Sequence, residues 1–313
     1  MPTLLLSHPA CLAHDTGPHH PERPDRLRAL ENALVDPRFA KLTRADAPCA
    51  EQSVIERVHS ADYIDVIRQF EPKPGDPIVY IDSDTPMSHG SFEAALRSCG
   101  GAVEAVDQVM AGKAHNAFCA TRPPGHHAET RSVQGFCLFS NAAIAAKHAR
   151  AVHGAERVAV VDFDVHHGNG TQEIFWSERD LFYASTHQMP LYPGSGAAGE
   201  IGAYGTICNV PLRAGDGKEA VRSAFNDRIL PALHAFGFDL LIISAGFDAH
   251  RDDPLGGLAF VEDDFAWMTH KLVDMADKRA RGRVVSVLEG GYDLTGLAHS
   301  AAAHIGVLME AAS

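Results

Sequence analysis

The chain reads as one α/β domain built round a mostly parallel sheet, and three observations point there. Apolar runs of strand length alternate with longer stretches of helical pattern. Most of those runs are apolar throughout, as expected of strands covered on both faces. They end in Gly, Asp or His, and in open α/β sheets ligands bind just beyond the carboxyl ends of the strands.

In chain order, the expected helices cover Phe92–Met110, Asn141–Val152, Lys218–Phe236 and Asp263–Lys278. The expected strands are Ala117–Ala120, Val158–Phe163, Leu181–Ser185, Leu240–Ala245 and Val284–Leu288. Glu71–Pro77 carries three prolines, but strand and helix patterns resume soon after it, so it reads as a surface loop. No repeat, low-complexity tract or flexible linker divides the chain, and residues 1–313 are taken as a single domain.

Composition narrows the function. Hydrophobic residues make up 45% of the 313 and charged residues 21%, which suits a folded domain with a large core. A net charge of −13 speaks against binding a phosphate backbone, so no nucleic acid partner is expected. It would favour cationic partners such as lysine-rich segments or polyamines, although an acidic surface more commonly serves solubility. The start, MPTLLLSHPA, has no basic region and only three leucines in a row, unlike an export signal. No run approaches the roughly 18 apolar residues of a membrane span. Cys11, Cys49, Cys99, Cys119, Cys137 and Cys208 form no CxxC pair and read as reduced thiols. A cytoplasmic location is expected.

The unusual residues collect after the strands. Ala117–Ala120 leads into Arg122-Pro-Pro-Gly-His126-His127, and Val158–Phe163 into Asp164-Val-His166-His-Gly-Asn169-Gly. Leu240–Ala245 leads into Gly246-Phe-Asp248-Ala-His250, and Val284–Leu288 into Glu289-Gly-Gly-Tyr292. If the strand stays extended, Asp162, Asp164 and His166 point to one side. Burying three such groups is costly unless a cation or hydrogen bonds satisfy them. An Asp–His network without metal remains open for that spacing alone. Asp248, after a neighbouring strand, shifts the balance, since Asp164, His166 and Asp248 supply three ligands and leave one position free, as catalytic zinc requires. His126 and His127 then read as a general base and an electrostatic partner, the bland alternative being two loop imidazoles. Two glycines before Tyr292 permit close backbone approach. That phenol is either a core residue after a glycine turn or a donor to a developing oxyanion.

In this order the segments resemble the arginase-like histone deacetylase superfamily, and its class II branch with bacterial deacetylases and acetylpolyamine amidohydrolases most of all. The resemblance rests on His20-Pro-Glu-Arg23, Arg122–Ala128, Gly135-Phe-Cys137, Asp162–Thr171, Tyr192-Pro-Gly194, Ser244–Asp248 and Glu289–Tyr292. It implies an α/β domain around an eight-stranded, mostly parallel sheet flanked by helices. It implies Zn²⁺ on Asp164, His166 and Asp248, with His127 as base and then acid and His126 as its partner. Asp162 would orient His126, and Asn169, where class I members carry Asp, would sit behind His127. Tyr292 would clamp the substrate carbonyl. Gly135, Phe136, Tyr192 and Leu255 would shape the tunnel for the amine chain. A structural K⁺ would involve Asp162, Asp164, His166, Ser185 and Thr186.

The implied activity is hydrolysis of the acetyl amide of an N-acetylated amine. Leu255 occupies a position where polyamine hydrolases can carry a gatekeeping Glu, which favours acetyl-lysine over acetylpolyamine. Asp82 and Asp84 could meet a cationic or peptide substrate, though loop acids are commonly just solvated. Rivals are a two-metal ureohydrolase like arginase, disfavoured by Gly168 where such enzymes have Asp but left open by Asp248-Ala-His250 and Asp253, and an inactive binding module on the same scaffold. A homo-oligomer is compatible with the sequence and would bear on access to the tunnel.

Overall fold

The computed structural model describes all residues, Met1–Ser313. Ten strands form: β1 Thr3–Ser7, β2 Thr43–Asp46, β3 Val79–Tyr80, β4 Pro86–Met87, β5 Asn116–Cys119, β6 Val158–Asp162, β7 Leu181–Gln188, β8 Ile207–Leu212, β9 Leu240–Ala245 and β10 Val284–Leu288. Eight of them make one sheet in the order β2-β1-β5-β10-β9-β6-β7-β8, and every neighbouring pair is parallel. β3 and β4 form a small antiparallel pair apart from it.

The apolar runs behave as two-faced strands. Ala159, Val161, Leu241 and Ile243 enter one apolar cluster, while Val158, Val160, Leu240 and Ile242 enter the other. Helices Asp25–Ala33, Glu262–Ala280 and Leu294–Ala311 bring Leu30, Phe265, Leu272 and Ile305 to the first cluster. Ser91–Met110 and Asn141–His153 bring Ala95, Val106 and Ile144 to the second. No helix is long and apolar enough to cross a membrane.

Three strands of the sheet were not among those expected. β2, Thr-Arg-Ala-Asp, is exposed along its length and forms one edge, where charge discourages pairing with another chain. β8 forms the other edge and contains Pro211, which only an edge strand tolerates readily. β1 is the short leucine run near the amino terminus, paired on both sides.

Two expected elements differ in detail. Lys218–Phe236 is one helical stretch, but Ala224–Ile229 winds as a π-helix between two α-helical pieces. Pro231 has no N–H for the carbonyl four residues back, and its ring would crowd it, so the wider turn relieves the conflict. β6 stops at Asp162, and residues 164–166 bend. The extended run of Asp162, Asp164 and His166 on one side is therefore not realised. Short-range bonds account for this: Asp162 Oδ1 accepts from the Asp164 N–H at 3.1 Å, and Asp164 Oδ1 from the His166 N–H at 2.9 Å. The bend still leaves both Asp162 and Asp164 beside one imidazole, 3.0 Å and 3.9 Å from the nitrogens of His126.

Candidate active site

Parallel strands leave all their carboxyl ends on one edge, and the segments after β5, β6, β9 and β10 meet there. The ligand atoms of Asp164, His166 and Asp248 lie within 4.8 Å of one another, and all three residues are buried. His166 Nδ1 sits 3.1 Å from Asp164 Oδ1 and 3.1 Å from Asp248 Oδ2. One ring proton cannot satisfy both carboxylates. Burial pushes Asp248 up to about 7, with the Asp164 charge adding and His166 opposing. Burial opposes the charge on His166 too, but its bonds to the two carboxylates raise it to about 10. Asp164 stays well below the usual carboxylate range, since His126 and His166 outweigh its burial.

This donor set fits a divalent cation. Two carboxylates and an imidazole nitrogen are ordinary zinc ligands, and a cation there would replace the proton that now serves two acceptors. The surrounding backbone holds the carboxylates in place. The Val165 N–H donates to Asp248 Oδ1 at 2.8 Å and the Gly290 N–H to Asp164 Oδ2 at 2.8 Å. Gly290 must be glycine, because a Cβ there would fall on both carboxylates.

His126 and His127 lie side by side with ring centroids 4.0 Å apart. Their partners differ. His126 Nδ1 is 3.0 Å from Asp162 Oδ2, and His127 Nδ1 is 2.8 Å from Asn169 Oδ1. Burial works against a charge on both rings, but Asp164 and Asp162 lift His126 well above the ordinary imidazole value. His127 is held well below it by burial, with the charges of His126 and His166 adding. Adjacent imidazoles thus sit in environments that shift them in opposite directions.

Tyr292 follows β10, with the Phe136 ring edge-on at 5.9 Å and the Arg26 guanidinium over its face at 5.1 Å. Burial, then the Asp248 charge, keeps its phenol protonated well above the ordinary value. Tyr192 lies edge-on to His127 at 5.1 Å. Gly135 and Phe136 both have positive φ, 57° and 68°, and a Cβ on Gly135 would collide with the His127 ring.

With that geometry in view, comparison with known proteins is decisive. The sequence profile of the histone deacetylase domain matches residues 20–308. The chain belongs to the histone deacetylase family. It is 40% identical to the histone deacetylase-like amidohydrolase of Pseudomonas aeruginosa, over 90% of this chain and 79% of that one. It is 38% identical to a probable deacetylase of Archaeoglobus fulgidus, over 95% of this chain and 83% of the other. The crystal structure of the HDA15 HD domain superposes with a TM-score of 0.93 at 36% identity, covering 99% of this chain and 88% of that one. The eight-stranded parallel sheet flanked by helices is shared with that deacetylase domain.

In this histone deacetylase family member the other expected residues are placed as follows. Leu255 is half-buried on the segment after β9. Ser185 pairs in register with Asp162, although its hydroxyl is 2.8 Å from His187 Nδ1, and Thr186 Oγ1 is buried without a hydrogen-bond partner. His250 and Asp253 stay outside this cluster, so the structure brings together one set of three candidate ligands at this edge.

Two acids that hold the imidazole loop escaped the sequence reading. Glu289 Oε2 accepts from the Gly125 N–H at 2.7 Å and the His126 N–H at 3.1 Å, and its Oε1 accepts from the Ser244 hydroxyl at 3.0 Å. Glu129 Oε1 accepts from Asn169 Nδ2 at 2.8 Å. That contact fixes which end of the Asn169 amide faces His127, so the His127 proton sits on Nδ1 and Nε2 carries the lone pair. Glu289 stands in a quoted motif and Glu129 two residues beyond His127, but nothing in either spacing states a backbone partner.

Proposed function

We propose that the chain is a zinc-dependent deacetylase that hydrolyses the acetyl amide of an acylated amine, an acetyl-lysine side chain before an acetylpolyamine. One observation carries this reading: the buried Asp164–His166–Asp248 cluster lies beside two imidazoles, one bonded to a carboxylate and the other to an amide. A bound zinc would acidify water towards neutrality and polarise the amide carbonyl.

The chain's own groups supply the remainder. His127, neutral and with its proton turned towards Asn169, presents Nε2 as the base that takes a proton from water as the water oxygen bonds to the carbonyl carbon. The carbonyl oxygen gains charge, and the Tyr292 phenol donates a hydrogen bond to it. His126, oriented by Asp162, stands beside it and would stabilise that charge when protonated. The proton taken by His127 passes to the nitrogen as the C–N bond breaks, leaving acetate and the free amine. Phe136, Gly135 and Tyr192 would line the path of the amine chain, and half-buried Leu255 gives its rim no carboxylate for a second ammonium. Favouring the polyamine, Asp84 and Asp82 lie near enough to add to the burial that raises the Tyr192 phenol. A monovalent cation at Asp162, Asp164, His166, Ser185 and Thr186 is supported by the register of Asp162 with Ser185 and by the unpartnered Thr186 hydroxyl.

Turnover of acetyl-lysine peptides, N-acetylpolyamines and trifluoroacetyl-lysine tests the reading, alongside metal analysis. Tyr292→Phe should lower kcat by about 10²–10³ while the protein stays folded. Wild-type turnover in that variant would remove Tyr292 from the chemistry, and inertness towards every acylated amine would sink the proposal.

A further inference from the structure

Tyr292 follows two consecutive glycines, and Gly291 has φ 124°. Such a segment does not fix the direction of the next side chain by itself. Its outer end is held by a carboxylate from a different segment. Asp253 is buried, and its Oδ2 accepts from the Tyr292 N–H at 2.7 Å and the Asp293 N–H at 3.1 Å. Its Oδ1 accepts from the Leu255 N–H at 2.9 Å. Asp293 in turn caps the helix Leu294–Ala311 through the Gly296 N–H at 2.6 Å. No cation forms an ion pair with Asp253, so backbone N–H groups are its partners.

We infer that Asp253 is the positioning residue for Tyr292, clamping the tyrosine backbone to the segment that carries Leu255 at the rim of the substrate path. The inference rests on the role given to Tyr292 above. A carboxylate is suited to the task because each oxygen accepts from a separate segment. An asparagine would keep one acceptor and turn an NH₂ group against the other N–H. The phenol would then lose its fixed reach to the carbonyl oxygen, and displacement on the order of 1 Å costs about 10² in rate.

The test is a double-mutant cycle in the metal-loaded enzyme. Asp253→Asn should lower kcat about tenfold with KM changed less than about twofold and metal content unaltered, and Asp253→Ser should lower it further, towards about 10². In a Tyr292→Phe background, Asp253→Asn should change kcat less than about twofold, because the group it positions is gone. Equal factors in both backgrounds would overturn the inference, as would wild-type kcat in Asp253→Asn. Failure of both Asp253 variants to fold would assign the carboxylate to stability and overturn it too. Slow Tyr292→Phe with multiplying effects defeats this inference alone; fast Tyr292→Phe defeats the role of Tyr292 first.

Discussion

Asp107, His148 and His153 bring together, on one flank of the molecule, the same kinds of side chain as Asp164, His166 and Asp248 at the sheet edge. The two groups are built differently. Asp107 Oδ1 lies 2.7 Å from His148 Nε2 and 2.5 Å from His153 Nε2, and the Arg57 Nη1 donates to His148 Nδ1 at 2.8 Å. A guanidinium only donates, so His148 Nδ1 must accept and its proton must sit on Nε2, facing Asp107. That tautomer is complete without a metal and is the wrong one for ligation. At the sheet edge one imidazole proton faces two carboxylates, every group is buried, and no Lys or Arg pairs with them. Asp107 is 38% exposed and can be solvated; Asp164 and Asp248 are fully enclosed. The kinds of residue in a cluster therefore say less about a cation than the count of protons against acceptors.

Removing a ligand should break the comparison most sharply. Asp248→Ala should abolish stoichiometric metal binding and lower kcat/KM by about 10³ or more, whereas Asp107→Asn should leave both at wild-type values. Metal analysis and steady-state kinetics decide it, and a metal equivalent lost from Asp107→Asn would overturn the contrast. Chelation comes next. Stripping a metal held at a thousandfold excess over Kd should cost about 4 kcal/mol of stability, read as a drop in Tm. Asp107→Asn should show the same drop, and an absent or halved one would implicate the flank cluster.

A third environment sharpens the point, because some buried imidazoles have neither cation nor carboxylate. His304 is held to about 3 by burial, between the Thr269 hydroxyl at 2.7 Å and the Ser286 hydroxyl at 2.9 Å. Its folded pKa lies below the ordinary 6.5, so from pH 6.5 down to about 3 the unfolded chain takes a proton that the folded chain refuses. Stability is full above that window and falls as pH drops through it, by up to about 1.4 kcal/mol per pH unit for one such group. Tm measured from pH 7 to 5 should decline less steeply in His304→Asn, and parallel profiles would contradict the assignment. The smallest effect belongs to the flank network itself. Asp107→Asn should cost about 1 kcal/mol, since two ring N–H donors lose a charged acceptor that is itself partly solvated.

Central strands were legible because apolar residues fill both faces of β6, β9 and β10. The edge strand β2 was not, since a solvated edge has no reason to be apolar, and in β8 Asn209 and Pro211 interrupt the apolar run. The ligand and imidazole residues stood out as polar groups at strand ends. Glu129 and Glu289 did not, and Asp253 stood out only as a possible acid for a second metal, because each acts through backbone N–H groups or an amide, which leave no trace in residue type. The bend after Asp162 was also hidden, as it depends on local bonds that compete with strand pairing.

By itself the sequence determined the layered α/β scaffold and the supply of acids, imidazoles and a phenol at its strand ends. Hydrophobic period and residue type are local properties, and a chain displays them before it folds. Only the tertiary structure decided which imidazole meets one carboxylate, which meets an amide and which faces two carboxylates. His166 and Asp248 are 82 positions apart, yet the energy of each depends on a contact of 3.1 Å. Electrostatic energy inside a protein follows distance and burial, and neither exists until the strands have been brought side by side.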